Sequence, residues 1–306
     1  MSLIEKLKKL FNIKSANCDM PADEGGSIDI DELKVKYASL RRNCIEVKSN
    51  GDAENDELTR FGGKPLAPKN FKWPYFETDS FDEPESEIKP RPLAFLCQFD
   101  CSQFSEYDKD NLLPHSGILS FFYSVESNRW GFDPADKGCS QVYWFENSKE
   151  LDLVDYPDDL AEDYRFPTLA FKLAQGDSYP DWENIASDDY DFDEYCDFTD
   201  ALRCEDEPIT KLLGWADVIQ SEMESECALV TKGFYLGGTD EIPQAARDEA
   251  EHSAQNDWLL LFQMDTIERG DFELMFGDGG RIYFWITKDD LAARRFDRAW
   301  LILQCG

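Results

Sequence analysis

The chain carries the same sequence pattern twice, and this duplication is the feature that most constrains its fold. Residues 92–100 and 257–265 are apolar runs that end in Gln-x-Asp, and a glycine followed by an aromatic-rich segment comes after each run, at 117–123 and 280–286. A third pair, Phe61-Gly-Gly and Leu236-Gly-Gly, precedes the runs in the same order. Two copies are too few for a solenoid. The pattern predicts two related half-domains, packed face to face with pseudo-twofold symmetry and a groove between them.

Short apolar runs separated by Gly, Pro and Asn are typical of antiparallel sheet. We therefore expect an α+β fold, mainly antiparallel β, with helices at the periphery. The expected organisation is an amphipathic helix and linker at 1–27, a first half-domain at 28–150, an acidic connecting segment at 151–208 and a second half-domain at 209–306.

Charge excludes some partners. The 306 residues contain 64 acidic and 31 basic side chains, a net charge of −33. Nucleic-acid binding needs a basic surface, so no nucleic-acid partner is expected. The charge instead favours cations or a basic protein, although it could serve solubility alone.

Nine scattered cysteines without a C-x-x-C pair, and no apolar run near the length of a membrane helix, predict a cytoplasmic protein with reduced thiols. Residues 1–14 are basic with apolar residues at helical spacing. Such a helix could visit a membrane surface or a partner. Docking on the acidic body of its own chain is the simpler interpretation, and no stable membrane association is expected.

The segment 276–291 and the closing residues 300–305 resemble the YwqG-like family of uncharacterised, mostly bacterial proteins. Phe61-Gly-Gly-Lys-Pro, Trp73-Pro74 and the two Gln-x-Asp strands carry the same resemblance, which covers about residues 41–306. It implies a duplicated, mainly β intracellular protein, sometimes found near toxin–immunity loci. It supplies no catalytic residues. The chain departs from the family pattern at Leu213-Gly214-Trp215 and in a longer, more acidic 177–207.

The Gln-x-Asp pairs are the first candidate site. Alternate residues of a strand share a face, so the polar groups of both copies could converge on the groove between the halves. The groove candidates are Gln98, Asp100, Gln263, Asp265 and Arg281. The competing interpretation is structural: each Asp satisfies backbone donors at a strand end, and Arg281 forms an ion pair.

The second candidate is the segment 177–207, which holds 13 carboxylates against one arginine, with aromatic residues between them. Rings can anchor a basic protein partner while carboxylates steer its approach. The residues proposed to bind it are Asp189, Tyr190, Asp191, Phe192, Asp193 and Glu194. A solvated loop is the alternative.

Neither a metal nor a cofactor is predicted. Asp189, Asp191 and Asp193 imitate the first positions of an EF-hand loop, but Glu194 stands where its glycine belongs. No phosphate-binding or hydrolase motif is present, so no catalytic residue is predicted. Two functions stay open: a protein-interaction module, plausibly an immunity or regulatory protein, or a small-ligand binder or enzyme using the groove.

Overall fold

The computed structural model describes residues 29–81, 86–185, 190–202, 209–238 and 241–306. The basic helix predicted within 1–27 lies outside the described residues, as does Asp189.

Ten antiparallel strands form one large sheet, which confirms the expectation of a mainly antiparallel β fold. Its strands are β1 (Arg42–Asp52), β2 (Arg60–Phe61), β6 (Ala94–Asp100), β7 (Ile118–Tyr123), β8 (Ser140–Phe145), β10 (Leu169–Ser178), β11 (Lys211–Leu212), β12 (Trp258–Met264), β15 (Arg281–Thr287) and β16 (Trp300–Gln304). Their order across the sheet is β16-β15-β12-β11-β1-β10-β2-β6-β7-β8.

Three two-stranded ribbons and several helices surround this sheet. The ribbons pair β3 (Leu66–Pro68) with β9 (Leu151–Leu153), β4 (Tyr75–Thr78) with β5 (Lys89–Pro92), and β13 (Ile267–Arg269) with β14 (Phe272–Leu274). The α-helices of the described residues are α1 (Ile30–Lys36), α2 (Phe104–Tyr107), α3 (Phe192–Leu202), α4 (Glu224–Val230), α5 (Gln244–Asn256) and α6 (Lys288–Ala292). Asp29 caps α1 through its carboxylate, and Pro243 precedes α5.

The sheet curls so that strands far apart in its order pack against each other. Phe99 of β6 lies 5.4 Å from Phe262 of β12, and Phe121 of β7 lies 5.0 Å from Phe284 of β15, between ring centroids. All four rings are fully buried. Aromatic side chains bury large apolar areas, so this interior is the main core of the protein.

The two ends of the sheet order also meet. In the connection between β7 and β8, Trp130 O accepts from Leu303 N of β16 at 2.9 Å, and Gly131 O accepts from the Trp300 indole at 2.9 Å. The curl therefore leaves the edge near β16 covered by a loop, which protects an otherwise open strand edge.

The interval 151–208, expected as a connection, contributes a strand to the middle of the sheet. β10 runs antiparallel to β1 from Arg42 opposite Ser178 to Asp52 opposite Leu169. Leu169, Phe171 and Leu173 of β10 alternate with more exposed residues, which is the burial pattern of a strand. The sequence around this strand contains many carboxylates, so its short apolar pattern does not stand out.

The glycine pairs do not all occupy matching places. Phe61 ends β2, and Gly62 and Gly63 follow it with φ of +62° and +67°. Leu236-Gly-Gly instead lies in the loop after α4, outside any strand. The residues that follow β11 with positive φ are Leu213 and Gly214, at +61° and +82°. Pairing Phe61-Gly-Gly with Leu236-Gly-Gly was therefore wrong. The second left-handed turn is Leu213-Gly214, and it cannot be recognised as a glycine pair because its first residue is a leucine.

Closure of the sheet can be tested at Gly131. A Cβ there would lie 1.8 Å from Leu301 O, whereas a Cβ at Gly233 would meet nothing within 4 Å, and both glycines have positive φ. We expect Gly131→Ala to lower the free energy of unfolding by about 2–4 kcal/mol. Gly233→Ala should cost only the backbone strain, about 1–2 kcal/mol. Chemical denaturation measures both, and equal losses would contradict the close contact with β16.

Candidate functional site

Gln98 and Gln263 each hold a loop against the sheet with the same set of bonds. The Gln98 amide donates to Leu58 O at 3.1 Å, and its carbonyl accepts from Leu66 N at 3.0 Å. The Gln263 amide donates to Ile209 O at 2.7 Å, and its carbonyl accepts from Asp217 N at 2.9 Å. Both side chains are fully buried. A buried amide needs its hydrogen bonds, and here loop backbone supplies them.

The two glutamines point away from the packed interior. Phe99 and Phe262, their neighbours in the chain, meet each other inside the curl. Because neighbouring strand residues point to opposite faces, Gln98 and Gln263 lie on the outer face of the sheet. The structure therefore gives no inner groove lined by these polar groups.

The remaining groove candidates, Asp100, Asp265 and Arg281, bond within their own group of strands. Asp100 accepts from Ser102 N at 3.0 Å and so caps the 3-10 helix Cys101–Gln103. Asp265 accepts from the Arg281 guanidinium at 2.8 Å and from Ile209 N at 3.0 Å. The structure thus brings Asp265, Arg281 and the loop held by Gln263 together, and places Gln98 and Asp100 in a separate cluster.

The described part of the acidic segment contains the helix α3, which packs on α1. Tyr195 and Phe198 of α3 surround the Tyr37 ring, with centroids at 4.9 and 5.0 Å. Glu194 accepts from the Tyr37 hydroxyl at 2.5 Å and pairs with the Lys36 ammonium. Burial is the main cause that raises the pKa of Tyr37 above its ordinary value, and the hydrogen bond to the Glu194 carboxylate is the second cause. The contact with α1 therefore fixes the position of α3.

Of the six predicted partner-binding residues, the five that the structure describes have different roles. Glu194 and Tyr190 face α1, the latter through a 3.2 Å hydroxyl contact with Ser39. Asp191 caps α3 by accepting from Glu194 N at 2.9 Å. Asp193 and Phe192 are exposed, the ring to 52%. Asp197 and Asp200 are exposed one and two turns further on, so the outer face of α3 presents a line of carboxylates beside an exposed ring.

A cavity that the sequence did not reveal lies on the outer face at the centre of the sheet. It measures about 210 Å³ and lies between β1, the end of β10, β11 and α3. Lys211, with a side chain only 6% exposed, forms an ion pair there with Asp217. Asp217 also accepts from the Gln263 amide at 3.2 Å. The available signal was a lysine in the apolar Lys211-Leu-Leu, which is unusual for a buried strand.

Carboxylates dominate the cavity around Cys44. Glu46 lies opposite Lys211 in the strand register, on the same face as Cys44. Burial raises the pKa of the Cys44 thiol to about 11. Lys211 acts against this shift, while Glu46, Asp217 and Asp177 add to it. The thiol therefore stays protonated and unreactive near neutral pH.

Arg60 occupies the place beside Gln98 that Lys211 occupies beside Gln263. It is fully buried, and its guanidinium donates to Lys64 O, while Nε and Nη1 find no hydrogen-bond partner among the described residues. Burial lowers the pKa of Arg60 to about 10. Leu66, whose N–H binds Gln98, stands where Asp217 binds Gln263, so this cation lacks the carboxylate that Lys211 has.

The described residues contain no group of three or more His, Cys, Asp or Glu side chains arranged to hold a metal ion. None of the seven cysteines in this part of the chain forms a disulfide. Over the same residues, no helix combines the length and the apolar character needed to cross a bilayer.

Comparison with known families places the chain. The model described as "Domain of unknown function (DUF1963)" matches residues 59–305, which is more than half of the sequence. The chain belongs to the DUF1963 family. The matched region includes both buried glutamines, β11 and α3, whereas β1, which forms one wall of the cavity, precedes it. No curated protein matches the chain.

The two buried cations should respond differently to removal of charge. Lys211→Met leaves the Asp217 carboxylate without its ammonium, so we expect a loss of about 2–4 kcal/mol in unfolding free energy. Arg60→Met leaves no carboxylate behind and should cost clearly less, below about 2 kcal/mol. Urea denaturation of both variants measures the difference. A larger loss of unfolding free energy for Arg60→Met than for Lys211→Met would contradict this assignment.

A half-buried carboxylate on α4, that of Glu226, predicts a pH dependence of stability. Burial, opposed by the Ser221 hydroxyl and reinforced by Glu224, raises the pKa of Glu226 from 4.5 to about 7. The folded state then holds a proton that the unfolded state loses, so Glu226 lowers stability as pH rises from about 4.5 to 7 and adds no further change above.

Glu226→Gln should therefore be neutral near pH 4 and stabilising by about 1–3 kcal/mol at pH 8. Denaturation curves at several pH values measure this difference. Glu251→Gln, on the exposed side of α5, is the matched control and should shift stability equally at all pH values. A flat difference for Glu226→Gln would mean that its carboxylate is well solvated.

Proposed function

We propose that this protein is an interaction module that binds a basic protein partner through the outer face of α3. The observation that carries the proposal is the line Asp193, Asp197 and Asp200 beside the exposed Phe192 ring. Carboxylates at this spacing steer a basic surface, and an exposed ring gives it an apolar anchor. A plausible consequence is an immunity or regulatory role, in which the module occludes its partner.

The net charge of −33 supports the same proposal, since it raises the association rate of a basic protein in a salt-dependent way. Packing of α3 on α1 supports it too, because a fixed helix loses little entropy on binding. Asp191 caps α3 and Glu194 pairs with Lys36 of α1, so these two residues hold the helix in place and are not part of the proposed contact face.

The test compares two triple variants of equal charge. The tagged protein captures its partner from its own cells, and salt elution followed by mass spectrometry identifies it. Asp193→Asn, Asp197→Asn and Asp200→Asn together should weaken binding of that purified partner by about tenfold at low salt. Glu268→Gln, Asp271→Asn and Glu273→Gln, exposed residues around the β13–β14 ribbon, form the control and should leave affinity within about twofold.

Equal weakening by both triples would assign binding to overall charge and remove the specific surface. Unchanged affinity in both would remove the charge-driven proposal. Circular dichroism checks that α3 is retained in both triple variants.

A second candidate function is small-ligand binding. The cavity between β1, β11 and α3 favours it, and it lies on the outer face beside Gln263 instead of in an inner groove. Gln263, Asp265 and Arg281 would then support the cavity by holding the loop around residues 209–217. Gln98 and Asp100 would have a structural role.

We also propose that the fold consists of two related half-domains and that the chain is a YwqG-like member of its family, with a cytoplasmic location. The strand order supports the first point, because β10-β2-β6-β7-β8 and β1-β11-β12-β15-β16 extend in opposite directions from the centre. Matched bonds support it as well. Thr59 accepts from Asp100 N and Thr210 accepts from Asp265 N, at 3.0 and 3.1 Å.

A further inference from the structure

We propose that Asn50-Gly51, near the end of β1, is a site of spontaneous deamidation, a covalent modification that changes both the charge and the backbone of this strand. It is the only Asn-Gly pair in the sequence. Asn50 lines neither the cavity nor the outer face of α3, so the modification is independent of both candidate functions.

Glycine leaves the path of the reaction open. In deamidation, the backbone nitrogen of the following residue attacks the carbon of the asparagine carboxamide, and a Cβ on that following residue hinders the approach. Gly51 has no Cβ. A Cβ built at this position would meet only the Arg269 guanidinium within 4 Å, at 3.6 Å, so the surroundings add little steric hindrance of their own.

The pair lies in a β-bulge, outside the regular pairing of β1 with β10. The register is broken between Ser49 and Asp52, so Asn50 and Gly51 together stand opposite Ala170. Gly51 has a φ of +94°, which is far from the extended region. The extra residue of a bulge is left out of the ladder, so the backbone can reach the bent geometry of ring closure more easily than in a paired strand.

The Asn50 carboxamide is available to react, because the residue is exposed and its side chain makes no hydrogen bond to another described residue. Asn147 is also exposed and is followed by a small residue, Ser148, but both ends of its carboxamide are bonded. Its oxygen accepts from Lys149 N at 3.3 Å, and its nitrogen donates to Glu150 at 2.7 Å. Asn147 is therefore the matched comparison within the same chain.

The reaction consumes only water. The Gly51 nitrogen bonds to Cγ of Asn50, the bond from Cγ to the side-chain nitrogen breaks, and the displaced proton leaves with that nitrogen as ammonia. The product is a five-membered succinimide. Water then opens the ring at either of its two carbonyls. One opening gives aspartate, and the other gives isoaspartate, whose backbone is longer by one methylene.

Both products act on the contacts beyond the bulge. The Asp52 carboxylate pairs with the Arg269 guanidinium of β13 at 3.2 Å, and Ala53 N donates to Thr168 O at 3.0 Å. A new carboxylate two residues before Asp52 competes for the same guanidinium, and the added methylene displaces the residues that follow. The modification therefore acts on the end of β1 and on its contact with the β13–β14 ribbon.

The test is incubation of the folded, full-length protein at mildly alkaline pH, with peptide mass spectrometry at intervals and a zero-time sample that corrects for deamidation during digestion. We expect the peptide that contains Asn50 to gain one mass unit at least about tenfold faster than the peptide that contains Asn147. Isoaspartyl methyltransferase should label the same Asn50 peptide, which identifies the isoaspartate product.

Asn50→Gln is the control variant, because a glutamine would have to close a six-membered ring, which forms much more slowly. It should abolish the mass gain in this peptide. The exposed Asp278-Gly279 can also form isoaspartate, but without a change of mass, so the two sites are distinguishable.

The same protein unfolded in urea gives the rate of the unprotected sequence. In the folded protein we expect the Asn50 rate to stay within about tenfold of that value, since the bulge leaves the pair outside the ladder. A folded-state rate no faster than that of Asn147 would overturn the proposal. So would deamidation of Asn50 that proceeds only after unfolding, because it would show that β1 protects the pair.

Discussion

The antiparallel pairing of β1 with β10 is the interaction on which the rest of the structure depends. It joins the two groups of strands, because β11 pairs with the other edge of β1 and β2 pairs with the other edge of β10. Curling of this continuous sheet brings Phe99 against Phe262 and buries the aromatic interior. On the opposite face, the same pair carries the cavity, with α3 above it. Core and candidate site are therefore two faces of one strand pair.

Buried amides hold loops on the outer face of the sheet, beside the apolar cluster that covers β12, β15 and β16. Gln98 and Gln263 each satisfy a donor and an acceptor of loop backbone, so the loops pack on the sheet with few unpaired polar groups. Gln304 of β16 repeats this role, since its carbonyl accepts from Ile219 N at 3.0 Å and its amide donates to Ser221 O at 2.7 Å. Such bonds are directional, so they fix the loop that positions Asp217 beside Lys211.

Much of the strand architecture could be predicted from the sequence, and the arrangement of the site could not. Runs such as 94–100 and 258–264 are long, apolar and bounded by turn residues, so their strand character is visible locally. β2 and β11 have two residues each, too few for any periodic signal. The face on which Gln98 and Gln263 lie depends on the curl of the sheet, which is set by contacts between residues more than 130 positions apart, such as Phe121 and Phe284.

The acidic segment shows the same limit in its chemistry. Its composition indicates attraction to basic partners, but composition does not separate Glu194, which is bonded to α1, from Asp193, which is exposed. Helical periodicity makes that separation, because Tyr195 and Phe198 must face Tyr37 and thereby turn Asp193, Asp197 and Asp200 outward.

The two buried cations, Arg60 and Lys211, indicate why only one of the two groups of strands would retain a binding site. Under the proposed duplication, Arg60 and Lys211 are equivalent, as are Leu66 and Asp217. Where the loop provides an apolar residue, the Arg60 side chain is sealed at 0% exposure. Where it provides a carboxylate, the cation is neutralised and the space between the sheet and α3 remains polar and open.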